Sequence, residues 1–144
     1  PEVTLSGTTV VLSSSIPLDV THIVILFDSL ALSANLNHLV KMGDAAALEA
    51  SGYAGASTDG TTPFAPTDGF AIQNTTDTMY GSMSFVLKDR ATNTWIQEHE
   101  FGFPTDVVDG GGRKALSAPV TRLNIQRDGA SGSYSGTAVV GYRK

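Results

Sequence analysis

Along most of the chain, apolar residues recur at every second position. In SMSFVLKD (82–89), Met83, Phe85 and Leu87 alternate with Ser84, Val86 and Lys88. A period of two puts successive side chains on opposite faces of an extended segment, so it predicts strands rather than helices. TTVVL (8–12) is β-branched and stops at SSSIP, where Pro17 has no N–H to give to a ladder. VTHIVILFD (20–28) is the strongest strand. Ile23 to Phe27 is unbroken apolar sequence, which predicts a central strand covered on both faces. NHLVKMGD (37–44), GFAIQ (69–73), TWIQEHEF (94–101), VTRLNIQR (120–127) and GTAVVGYRK (136–144) complete the set. The segments 82–89 and 94–101, joined by RATNT, read as an antiparallel hairpin.

The intervening segments read as turns and loops. DAAALEASGY is a single helical turn or an irregular loop, because Gly52 interrupts it early. Residues 51–69 read as one long loop dominated by Gly, Ser, Thr and Pro, with Asp-Gly pairs at 59–60 and 68–69. A loop of that length in a compact domain is functional or draped over a neighbour. DGGGRK (109–114) reads as a glycine-rich turn, and RDGASGS as another. The expected architecture is a single all-β domain over residues 1–144. It is a β-sandwich of jelly-roll-like type with about eight antiparallel strands.

Composition narrows the function. The chain has 144 residues, 41% hydrophobic and 16% charged, enough apolar content for a core and too little charge for disorder. A net charge of −5 with nine Lys and Arg argues against nucleic acid as a partner, since affinity there comes from neutralising phosphates. No run approaches the roughly 20 apolar residues that cross a bilayer, and no basic amphipathic helix appears, so membrane insertion is not expected. The absence of cysteine excludes disulfides and Cys-ligated metals. PEVTLSGTTV lacks the form of a signal peptide, and a start at Pro1 points to a lost initiator Met or to cleavage from a longer chain.

Candidate chemistry centres on ATNTWIQEHEFGF (91–103), where Glu98, His99 and Glu100 are adjacent. On a strand, Glu98 and Glu100 share a face with Ile96, while His99 shares the other with Trp95, Gln97 and Phe101. The three cannot converge on one ion without a bulge. The favoured reading makes His99 a sheet-end residue and the glutamates a solvated face or an interface with another subunit. A metal or acid/base site stays open if a facing strand brings His22 or His38. Tyr53, Phe64 and Tyr80 lie in or beside loops. They are candidates to stack on sugar rings, with Asp59 and Asp68 taking hydroxyls; the plainer reading is that they plug loops onto the core and make turns. No calcium-loop ladder, phosphate cradle or G-x-S-x-G elbow is present. No catalytic residue, metal or cofactor is therefore assigned, although three histidines leave a Ser-His-Asp set open.

The order SGTTV, SIP, a strand ending in Phe27-Asp28, KMGD and SGYAGAS continues with GFAI, GSMSFVL, TNTWI, ALS and VTRLNI, then a last strand ending in an aromatic. From Ser6 to Tyr142 this resembles a small all-β domain recurrent in tail-fibre and other virion-associated proteins of tailed bacteriophages and prophages. EHEFGFPTDVVDGGG (98–112) departs from that pattern. The resemblance implies a non-enzymatic virion structural protein, assembled in the host cytoplasm as part of a tail fibre or spike. Its partners would be its own copies, as a homotrimer, other virion proteins, and a host surface glycan. The alternatives are a head-decoration or tail-shaft protein with no receptor role, and a free glycan-binding module with Tyr53, Tyr80 or Trp95 exposed in a groove. A polysaccharide hydrolase needs carboxylates roughly 5–10 Å apart across a cleft. Glu98 and Glu100, about 7 Å apart on one strand face, do not flank a sugar.

Overall fold

The computed structural model describes residues 2–144. Among them no helix occurs, and eleven strands form two antiparallel sheets. The strands are β1 (Glu2–Thr4), β2 (Thr9–Ser13), β3 (His22–Leu32), β4 (His38–Gly43), β5 (Tyr53–Thr58), β6 (Phe70–Ile72), β7 (Met79–Asp89), β8 (Thr94–Phe103), β9 (Asp106–Ala115), β10 (Arg122–Arg127) and β11 (Tyr134–Arg143). The large sheet has the order β1-β11-β3-β7-β8-β9-β5, and the small sheet β2-β10-β4-β6. The chain crosses between sheets at every step from β2 to β7, and again at β10 and β11. One hydrophobic cluster joins the two layers in a sandwich-like arrangement. It holds Ile23, Ile25, Met83, Phe85 and Phe101 from the large sheet, and Val40, Met42, Leu123 and Ile125 from the small one.

All eight strands expected from the period of two are present, and β1, β5 and β9 are additional. The loop expected over 51–69 contains β5, which pairs with β9 from Tyr53↔Lys114 to Thr58↔Asp109. The chain then turns back along the free edge of β5. Backbone bonds Ser57 N–H to Phe64 O (3.0 Å), Phe64 N–H to Ser57 O (2.9 Å) and Tyr53 N–H to Thr67 O (3.2 Å) cover that edge. An edge closed in this way is a poor template for another chain. DGGGRK is likewise not a turn. Asp109 to Lys114 are the centre of β9, between β8 and β5. The segment 44–52 forms an irregular loop, with Asp44 Oδ1 accepting the N–H groups of Ala46 (2.7 Å) and Ala47 (3.1 Å).

The hairpin β7–β8 has the expected antiparallel pairing, and its turn is tied by Asp89 carboxylate bonds from Ala91 N–H (2.9 Å) and Thr92 O–H (2.8 Å). A bulge in β3 places Ser29 at φ 59°, opposite Gly136 at φ 109° in β11. A side chain on Gly136 would collide with the Ser29 carbonyl, so the bulge depends on glycine there. The expectation that β3 is covered on both faces does not hold. Ile23, Ile25 and Phe27 are buried against the small sheet, whereas Leu26 is 54% exposed and Val24 half-buried. The small sheet covers one face only, and among the described residues nothing covers the other.

Candidate functional site

The segment 94–101 alternates as its period requires. Trp95, Gln97, His99 and Phe101 are buried, and Ile96, Glu98 and Glu100 are exposed. The acid and imidazole groups therefore diverge. His99, however, is not at a sheet end. It lies mid-sheet, opposite Met83 of β7 and Gly110 of β9. Because Gly110 has no side chain, the imidazole reaches across β9 to β5. Nε2 of His99 is 2.8 Å from Ser57 Oγ, and Nδ1 is 2.9 Å from Gln97 Nε2. Ser57 Oγ also accepts the N–H of Gln73 at 2.9 Å. A Cβ built on Gly110 would lie 2.7 Å from His99 Cε1, so no other residue leaves room for this bridge.

Burial pulls the His99 pKa down to about 4, with the Asp109 carboxylate opposing the shift. The ring is neutral at neutral pH, and a neutral imidazole offers one donor and one acceptor to its two partners. The Ser57–His99 distance is that of a nucleophile and its base. Ser57 is 1% exposed, so in this conformation no substrate reaches its hydroxyl from solvent. What the pair does visibly is clamp β5 to β8 over the glycines of β9.

The opposite side of the same strands is open. Cross-strand register aligns Ser82, Glu100 and Asp109 in one row and Ser84, Glu98 and Gly111 in the next. The small residues of these rows leave a depression of 640 Å³ with Glu98, Glu100 and Asp109 at its lining. Ser84 O–H donates to Glu98 at 3.4 Å. Among the described residues no strand faces the two glutamates from across this depression. Among the described residues, no group of three or more His, Asp or Glu is placed to hold a metal ion. His38 is buried in the small sheet between Tyr134 O–H (3.2 Å) and Asn74 Oδ1 (3.1 Å), and burial lowers its pKa to about 4. His22 contacts Arg143 at 3.3 Å and pairs with Val86, two positions along the strands from the Glu98 row. Neither histidine joins the glutamates.

The loop candidates separate sharply. Tyr53 is buried. Its hydroxyl accepts the N–H of Met42 (3.0 Å) and donates toward the carbonyls of Met42 and Glu49, and burial raises its pKa. Its ring lies under the Lys114 ammonium, 5.2 Å from the centroid, and Lys114 is paired with Glu49. Asp59 is occupied in its own turn. The Thr61 hydroxyl and N–H, then Gln73, hold its carboxyl below the usual carboxylate range. Asp68 pairs with the buried Lys41 at 3.2 Å. Phe64 is half-buried in its bridge to Ser57. Tyr80 differs: it is 52% exposed, beside Gly102, Phe103 and Pro104 at the end of the β8–β9 hairpin. Trp95 is buried in the core.

The Ser57–His99–Gln97 chain is hidden in the sequence because three glycines in a row look like a turn, and VDGGGRK carries no apolar alternation to mark it as the centre of β9. No protein-family model, curated protein or solved structure matches this chain.

Proposed function

We propose that this chain is a non-enzymatic structural component of a bacteriophage virion, a tail-fibre or spike domain that assembles as a homotrimer and helps attach the particle to a host surface. The observation that carries the reading is the uncovered face of the large sheet. Val24, Leu26, Val86, Ile96 and Val139 share that face through the pairings Leu26↔Val139 and Val86↔Ile96 and the alternation of β3. Adjacent exposed apolar side chains mark an association surface more often than an idle one. The motif order described above supplies the virion context, and the repeated crossing between sheets supports a jelly-roll-like description of the sandwich. The closed environment of Ser57 and His99 favours a structural role over a catalytic one.

Tyr80, with Phe103 and Pro104, is the candidate for stacking on a host sugar. A single such contact is weak, and three copies on one fibre raise its effective strength by avidity. Placement in a head or tail shaft would use the same apolar face and leave Tyr80 without a role. The mass in solution tests the reading. Sedimentation of the purified chain is expected to give three copies per particle. A strict single-chain mass at the highest soluble concentration would overturn it.

A further inference from the structure

The uncovered face of the large sheet is not only apolar; its charges are sorted along the strands. Register places Glu2 beside Val139, Asp28 beside Thr137, and Glu100 beside Ser82 and Asp109, with Glu98 one row further. These acids lie toward one end of the strands. Toward the other end lie Arg143 beside His22, Arg113 beside Ile96, and Lys88 two positions beyond Val86. The exposed apolar side chains share these rows: Val86 and Ile96 lie in the row of Arg143 and Arg113, Leu26 and Val139 in the row of Glu100 and Asp109, and Val24 in the row of Glu98 between them. Among the described residues none of these acids or bases belongs to an ion pair; the three salt bridges present are Lys41–Asp68, Lys114–Glu49 and Lys144–Asp19. A sheet that sorts its charges by end, and leaves each end unneutralised, presents to each end of a second copy a partner of opposite sign.

We propose that this face is a heterologous interface between copies, on which the acidic end of one copy docks against the basic end of the next, with Leu26, Val86 and Ile96 packed alongside the charges. The proposal rests on the self-association reading and names the surface that performs it. A head-to-tail contact of this kind satisfies every end when the rotation closes after three copies in a ring. Like ends brought together would repel, and that repulsion sets the orientation more strongly than the apolar side chains, which are indifferent to direction.

Charge exchange tests it. Four chains are compared by sedimentation velocity at low ionic strength, with circular dichroism to confirm folding: wild type, Glu98→Lys with Glu100→Lys and Asp109→Lys, Lys88→Glu with Arg113→Glu, and all five substitutions together. Each single-end variant leaves both ends with one sign and is expected to abolish the assembly. The combined exchange restores opposite ends and is expected to recover the wild-type mass. Single-end variants that keep the wild-type mass would overturn the choice of face while leaving the trimer reading standing. A folded combined variant that stays monomeric would overturn the sorting of charges as the cause. A wild-type monomer would instead defeat the self-association reading itself, and with it a second copy as the occupant.

Discussion

His99 takes its chemistry from what lies across two strands, not from its neighbours Glu98 and Glu100. Its ring is desolvated, bonded at both nitrogens and neutral, and His38 is in the same condition on the small sheet. Both titrate at about 4 in the fold, against 6.5 for an ordinary histidine. Between those values the unfolded chain binds more protons than the folded one, so stability falls as pH falls. The contribution is fully present above pH 6.5 and is lost progressively down to about 4, with up to about 3 kcal/mol at stake for each ring. Asp44, Asp59 and Asp89 are also held below their ordinary value of 3.8, and that stabilisation is lost only at lower pH. Urea midpoints at pH 7.5, 6.0 and 4.5 are expected to decline steadily, and His99→Gln to remove part of that decline. A midpoint independent of pH over this range would show that neither ring is held neutral by burial.

At the scale of elements, β9 organises the interior through what it lacks. Gly110 gives His99 and Ser57 room to meet, and Gly112 admits the ring of Phe70, which would lie 3.0 Å from a Cβ there. Phe70 in turn packs edge-on against Tyr53 and Phe85, at 5.0 and 5.4 Å between centroids. Filling this space drives side chains apart. Gly110→Val is expected to cost about 1–3 kcal/mol in urea unfolding. It should also speed amide exchange in β5, whose clamp it breaks. Gly102→Ala in the neighbouring strand meets nothing nearer than 4.0 Å and serves as a control with little effect. If both variants unfolded alike, the glycines of β9 would be incidental. The same strand explains why the site was only half legible. Three consecutive glycines carry no hydrophobic period, so the segment resembles a turn until its partners are known. Tyr53 and Ser57 were similarly hidden, because a short edge strand rich in Gly, Ala and Ser reads as loop.

At the scale of the whole molecule, the two faces of the large sheet do different work. The inner face is packed and fully committed, while the outer face carries exposed apolar side chains, with acids toward one end of the strands and bases toward the other. Exposed carboxylates that bond nothing strong contribute little to the fold. Glu98→Gln with Glu100→Gln is therefore expected to leave the unfolding midpoint of the dilute chain within about 0.5 kcal/mol of wild type. The same pair should weaken the assembly at low ionic strength, where end-to-end attraction is least screened. Unfolding in the dilute chain by more than that would mean that the glutamates hold the sheet together rather than the copies.

The order of residues determined which segments are strands and which side chains share a face, because the two-residue period is set by local backbone stereochemistry. That local rule correctly separated Glu98 and Glu100 from His99, and Met83 and Phe85 from Ser84. Strand order, the meeting of Ser57 with His99 over Gly110, the return of residues 59–67 along β5, and the exposure of Leu26 were decided only in three dimensions. Each depends on which strand lies beside which, and on how far the second sheet reaches. A period of two says that a residue has an inside and an outside neighbour, but pairing between distant segments chooses who those neighbours are.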